Sequence, residues 1–253
     1  MNIIQFSRLG TFGRFGNQIF QYLFAKILSE KYNATLEIPA DWIGRKIFEN
    51  INDPPISRKL PRTKEDDIPN YTNCDLYGYY QSNECFNLLS KSLIKNKLKI
   101  KKSWLDAFIK PKDYYIACHI RHGDYISKHK DIFCIIYEDS YIQLINKLNF
   151  NIDDIIWVRE ESPHKCEIFE ENGIGFLYDF LILLYSDILI RSNSTFSYWA
   201  GIFGEHKEIF SPIILDKVGY NYVDFSPNNW EPIYDKKFHK KLIGIYDDMF
   251  IKD

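Results

Sequence analysis

What most constrains this chain is a rhythm in its second half. Short aliphatic runs alternate with segments of helical spacing, and several of the runs empty into polar loops. Tyr115–Ile120, Ile155–Val158, Ile188–Ile190 and Glu208–Phe210 read as strands. Glu138–Leu148, Pro163–Glu171 (after a Ser-Pro start) and Thr195–Phe203 read as helices. Strands apolar on both faces that alternate with helices imply a parallel sheet with helices on both sides. The first half opens in the same way. Residues 2–6 form an apolar strand, and a glycine-punctuated loop runs from Ser7 to Gly16. Ile19, Phe20, Leu23, Phe24, Ile27 and Leu28 then recur at helical spacing, with Asn17 as the N-cap, and Ala34–Ile38 reads as a second strand. The proline- and charge-rich stretch Asp53–Asn70 reads as a surface loop, and Glu84–Leu98 as a helix. Two such halves make a two-lobed α/β protein with a cleft between the lobes. The boundary falls between an N-terminal lobe, 1–112, and a C-terminal lobe, 113–253.

Composition removes several classes of function. With 32 Lys and Arg against 34 Asp and Glu, the net charge of -2 gives no global positive field and counts against a general nucleic-acid binder. The 5 cysteines are odd in number and show no CxxC spacing, so they read as reduced thiols in a cytoplasmic protein, neither a disulfide framework nor a zinc site. MNIIQFSRLG has no basic segment followed by a long apolar run, and is not a signal peptide. The most apolar window, Ile174–Ile190, is interrupted by Asp179 and Asp187, so no transmembrane segment is expected. Lys91, Lys95, Lys97, Lys99, Lys101 and Lys102 form a basic run, read as a solvated face and linker or as contact with an anionic membrane surface. Aromatic residues make up 17% of the chain, which suits an aromatic-rich core or sugar-stacking surfaces.

Ligands of open parallel sheets sit beyond the carboxyl ends of strands, and the chemically equipped segments lie there. GTFGRFGNQ, Gly10–Gln18, follows a strand and precedes a helix, so its backbone N–H groups can approach an anion. It is neither a P-loop nor a dinucleotide fingerprint. Arg14 adds a cation there, and Asn17 an uncharged donor and acceptor; a tight turn with a surface arginine and a capping asparagine is the plainer reading. HIRHGDY, His119–Tyr125, sets His119, Arg121, His122 and Asp124 at a strand exit, where Arg121 offers a planar fork for phosphate oxygens. SNSTFSYW, Ser192–Trp199, places small polar residues at a helix N-terminus, as caps or as phosphate ligands. GYYQS, Gly78–Ser82, is by itself an aromatic strand or turn. No Asp-x-Asp, HExxH or GxSxG occurs, and no metal site is expected.

Together these segments resemble the α-1,2-fucosyltransferases and, more broadly, the fucosyltransferase superfamily that includes the protein O-fucosyltransferases. GRFGNQIFQY is similar to the family's GxxGNQ-type loop, and with Pro39, Trp42 and Ile43 to the start of the protein O-fucosyltransferases. GYYQS looks like GYFQS, HIRHGDY like HxRRGDY, and NSTFSYW like NSSFSWW. The order and spacing agree over nearly the whole chain. The resemblance implies two Rossmann-like lobes of the GT-B kind and metal-independent inverting transfer. It likewise implies GDP-fucose as the donor and a glycan hydroxyl as the acceptor, with no cofactor expected. Arg121 and His122, with Asn193, Ser194, Thr195 and Phe196, would hold the donor's diphosphate or base. Gly13 and Gly16 would bring the first lobe's loop to it. Arg14, Asn17, His119 and Asp124 are the candidate catalytic groups. Two departures stand out: His122 replaces the second arginine of HxRRGDY, and Arg159, Glu160, Glu161 and Ser162 stand where the family has Ser-Asp-Asp. Another nucleotide sugar, a protein acceptor, or a non-catalytic sugar- or nucleotide-binding homologue are the alternative readings.

Overall fold

The computed structural model describes residues 2–64, 73–81, 96–127, 134–160, 163–213 and 225–227. The chain forms two compact units, one ending at Asp106 and the other beginning at Ala107, so the division falls before the expected 112/113.

In the first unit, β1 (Ile3–Gln5) leads through the glycine loop into α1 (Phe15–Lys31), and β2 (Thr35–Glu37) follows. A short helix α2 (Gly44–Ile47), then β3 (Arg62–Lys64) and β4 (Cys74–Tyr77), complete the order β2-β1-β4-β3, all parallel. β3 lies inside the stretch read as a surface loop. Its residues, Arg-Thr-Lys, carry no apolar signal, and it is an edge strand held to β4 in the register Arg62↔Asp75 and Lys64↔Tyr77. α1 starts two residues before the expected cap. Gly13 turns the chain at φ 84, Arg14 takes the cap position with extended backbone, and the Gln18 amide donates to the Arg14 carbonyl at 3.1 Å. Asn17 therefore sits inside the first turn. The expected helix 84–98 and the lysines at 91 and 95 lie outside or almost wholly outside the described residues. α3 (Lys102–Ala107) leads to the division between the units.

The second unit begins with β5 (Ile116–His119) and the short helix α4 (Gly123–Ser127). α5 (Glu138–Lys147), β6 (Ile155–Val158) and α6 (Glu167–Glu171) follow. α7 (Gly175–Leu184), β7 (Ile188–Ile190), α8 (Thr195–Phe203), β8 (Glu208–Pro212) and β9 (Phe225–Pro227) complete it. The sheet order is β6-β5-β7-β8-β9; every pair is parallel except β8 with β9. β5 is buried along its whole length, which is why its sequence is continuous rather than alternating. Its core gathers Ile116, Cys118, Tyr141, Ile145, Ile190 and Phe210. α6 begins at Glu167, not at Pro163, and Cys166 holds the cap position. The apolar window after residue 174 is α7, with Leu177, Phe180, Leu181, Ile182 and Leu183 wholly buried. Among the described residues, no helix is long and apolar enough to cross a membrane, and Cys74, Cys118, Cys134 and Cys166 are free thiols.

Replacing Leu181, at 0% exposure, with Ala is expected to cost about 2–5 kcal/mol. Replacing Ile142, 38% exposed on α5, is expected to cost well under half of that. Urea titrations of both variants check the placement of α7 in the core; equal costs would contradict it.

Candidate functional site

The first unit ties its two motifs into one layer. Phe12 of the glycine loop stacks between Tyr77 (ring centroids 5.2 Å) and Tyr79 (4.5 Å). Gln21 donates to the Phe12 carbonyl at 2.9 Å and the Gly78 carbonyl at 3.3 Å, and Gln18 to the Gly13 carbonyl at 3.0 Å. Gln81 donates to Asn17 Oδ1 at 3.1 Å. A Cβ at Gly13 would lie 2.7 Å from the Asn17 amide nitrogen, so both its positive φ and its surroundings demand glycine. Gly16 is buried in the first turn of α1, and Arg14 is exposed at its start. GYYQ is therefore the brace of the glycine loop, a role invisible in its own sequence. Tyr80 is wholly buried with φ 54 and stacks on Phe24 at 4.4 Å.

In the second unit, β5 and β7 are neighbours and end at the same level, with Cys118 opposite Ile190. Their exits are cross-linked. His119 is buried, and its Nδ1 lies 2.7 Å from the Ser192 hydroxyl. Burial, followed by the charges of Arg121 and Arg191, pushes the His119 pKa down to about 3. The ring is neutral at pH 7 and too weakly basic for a general base. Tyr125 donates to the Asn193 carbonyl at 3.2 Å, and Asn193 Nδ2 to the Cys134 carbonyl at 2.7 Å. Ser194 caps α8 by accepting the Phe196 amide at 3.3 Å, a contact of a kind worth about 1 kcal/mol. Thr195 opens the helix, and the Phe196 ring lies 5.6 Å from that of His119.

Arg121 stands at the centre of these exits, with its guanidinium 5.1 Å from the Tyr125 ring centroid. Both arms of its fork carry carboxylates: Nη1 donates to Glu160 and Nη2 to Asp124. Glu160 follows β6, the strand paired with β5 on its other side. A Cβ on Gly123 would collide with the Glu160 carboxylate, so this glycine leaves room for the pair. His122, expected as a donor ligand beside Arg121, contacts the neighbouring loop. Its Nε2 lies 2.9 Å from the Ile136 carbonyl, so it fastens the loop. Asp124, held by Arg121 at the start of α4, positions the guanidinium.

The structure adds one residue that the sequence reading passed over. Arg191, directly after β7, is 3% exposed, donates from Nη1 to the Ser211 hydroxyl at 3.1 Å and lies 5.0 Å from the Tyr198 ring centroid. The signal was present: an arginine leaves β7 as Arg121 leaves β5. The exits of adjacent parallel strands thus hold two arginines, two carboxylates and the N-terminus of a nine-residue helix. Arginines and a helix N-terminus are groups of the kind that can hold an anion. Among the described residues, no group of three or more His, Cys, Asp or Glu side chains could hold a metal ion.

The comparisons with known proteins bear on this region. The sequence profile of glycosyl transferase family 11 matches residues 58–214, which takes in β3 through β8 and leaves the glycine loop outside. No curated protein sequence gives a significant match. Among solved structures, the fucosyltransferase NodZ from Bradyrhizobium is 14% identical, with a TM-score of 0.49 over 90% of this chain and 99% of that one. Another NodZ crystal, of the α-1,6-fucosyltransferase soaked with GDP-fucose, is 15% identical, with a TM-score of 0.49 and the same coverage of 90% and 99%. POFUT1 in complex with GDP-fucose is 10% identical, with a TM-score of 0.48 over 87% and 98%.

The pH dependence of His119 follows from its burial. Its pKa of about 3 in the folded protein lies below the unfolded value of about 6.5, so the unfolded chain binds the extra proton. Its contribution to stability is complete above about pH 6.5 and is lost as pH falls toward 3. His119→Asn is expected to unfold more readily at pH 7 but to show a flatter decline, by up to about 1.4 kcal/mol per pH unit. Urea titrations of both proteins across this range measure the difference; parallel curves would show that His119 is not held neutral.

The match spans well over half of the chain, and the chain belongs to glycosyl transferase family 11.

Proposed function

We propose that this glycosyltransferase moves fucose from GDP-fucose to a hydroxyl of a glycan acceptor, by an inverting displacement that needs no metal ion. The observation that carries the reading is the convergence of Arg121, Arg191 and the α8 N-terminus at the ends of β5 and β7, inside the residues matched by the family. In the reaction, the acceptor oxygen forms a bond to the anomeric carbon of fucose. The bond from that carbon to the diphosphate oxygen breaks, GDP keeps the electron pair, and the acceptor proton is released. The charge that grows on the departing diphosphate is what cations and a helix N-terminus stabilise. Arg121 supplies a fork matched to phosphate oxygens, and diphosphate replaces Glu160 on it. Asp124 stays as the group that orients the fork. Ser194 and Thr195 present the first turn of α8, and Arg191 contributes charge from behind the exits. Arg14 and Asn17 are assigned to the transfer step rather than to the holding of GDP.

A donor panel tests the reading. With GDP-fucose, GDP-mannose and UDP-sugars at equal concentrations, GDP-fucose is expected to raise the melting temperature most. A ligand at 100 times its Kd adds about 2.7 kcal/mol. Transfer from GDP-fucose to a glycan mixture is expected to persist in excess EDTA. Stabilisation by a UDP-sugar alone would overturn the donor. Loss of turnover in EDTA, restored by manganese or magnesium, would overturn the metal-free reaction.

A further inference from the structure

The first unit contains a cavity of about 620 Å³. Gln5, Ser7 and Asp75 line it together with Arg58, Lys59 and Arg62. Gln5 and Asp75 are 1% and 5% exposed and form its interior, while the three cations are exposed at its rim. The loop that carries Arg58 and Lys59 is fixed from beneath, while Arg62 opens β3. The Ser57 amide and hydroxyl donate to the carboxylate of Glu37 at 3.0 and 2.6 Å. Gln5 Nε2 donates to the same carboxylate at 2.6 Å and to the Arg58 carbonyl at 2.8 Å. Burial alone would raise the Glu37 pKa. The hydrogen bonds from Ser57 and Gln5 and the charge of Arg58 outweigh it and hold the carboxyl below its usual range. Glu37 is thus an anionic anchor that sets the loop before any ligand arrives, which lowers the ordering cost of binding.

Among the described lining residues, three cations stand against one carboxylate, Asp75. Asp75 is already engaged: its oxygens accept the Ser7 amide at 2.8 Å and the Ser7 hydroxyl at 2.6 Å, with Arg62 at 3.8 Å. The surplus is positive and faces solvent. The volume is several times that of an inorganic anion and falls in the range of small-molecule sites. No aromatic side chain is among the described residues that line it, which disfavours a stacked base. The interior instead offers an amide, a hydroxyl and a carboxylate, the groups that exchange hydrogen bonds with sugar hydroxyls.

We propose that this cavity binds an acidic saccharide, a sugar bearing a carboxylate or a phosphate, as the anchoring part of the acceptor. Arg58, Lys59 and Arg62 receive the acidic group, and Gln5, Ser7 and Asp75 meet the hydroxyls. The acceptor role rests on the glycosyl transfer proposed above; the binding itself does not.

The test is calorimetry on the full chain with four probes: a glucuronate-containing disaccharide, its neutral glucose counterpart, glucose 1-phosphate and inorganic phosphate. GDP is titrated separately. At least one of the two acidic sugars is expected to bind ten times or more tighter than the neutral disaccharide, and which one it is identifies the acidic group. Arg58→Ala and Lys59→Ala, both at exposed positions, are expected to weaken that sugar fivefold or more, the neutral disaccharide less than twofold, and GDP not at all. Equal binding of acidic and neutral sugars, or binding of inorganic phosphate as tight as that of the sugars, would overturn the proposal. So would variants that bind the acidic sugar like the wild-type protein. Failure of GDP to bind while the acidic sugar still binds would strike the donor reading and leave this one standing.

Discussion

The candidate donor site depends on β5 and β7 lying side by side and ending together. Parallel pairing puts both exits on one edge of the sheet, so that side chains more than seventy residues apart in sequence meet there. The hydrogen bond between His119 and Ser192 and the one from Tyr125 to Asn193 then lock the two exits to each other. Arg121 is placed by this lock and by two carboxylates. Burial and neighbouring cations keep His119 uncharged, while Arg121 and Arg191 at the exits carry charges that cannot be lost as a proton.

Arg121 with Asp124 and Glu160 leaves the guanidinium matched by more negative charge than it carries. Such an arrangement holds the fork rigid and also guards it. In the proposed donor site, a ligand would displace Glu160 from the fork, and a diphosphate offers more charge and more acceptors for that than a monoanion does. Glu160 stands at the place where the resemblance led one to expect Ser-Asp-Asp, and it pairs with Arg121.

The sequence reading succeeded where burial leaves a continuous apolar run. β5, β7 and β8 are legible because they are buried on both faces, β6 because its run is apolar though half-buried, and α8 because a polar cap precedes an apolar helix. It failed at β3, an edge strand of Arg-Thr-Lys whose pairing is carried by backbone alone, and at β9, three residues paired antiparallel with β8. The start of α1 was misplaced because asparagine caps well on average, whereas here the left-handed turn at Gly13 starts the helix earlier and Asn17 is engaged by Gln81. At the site, the polar residues of the exits were legible as a group. Their partners were not. His122 was expected beside Arg121 and instead fastens to Ile136, and Glu160 reaches Arg121 across thirty-nine residues. The cavity beside Asp75 left no motif, since Arg58 and Lys59 belong to a loop that the buried Glu37 organises from another strand and Arg62 opens the edge strand β3.

The measurement that reaches the central claim most directly is calorimetric titration of GDP into the wild-type protein, Arg121→Ala and Glu160→Gln. The account predicts that Arg121→Ala loses about 1.5–3 kcal/mol of GDP binding, the range for hydrogen bonds to charged groups. It predicts that Glu160→Gln binds GDP more tightly, by about two- to tenfold, because an anion that competes for the fork has become neutral. If Arg121→Ala binds GDP like the wild-type protein, the strand exits of β5 and β7 are not the phosphate site, and the donor reading falls.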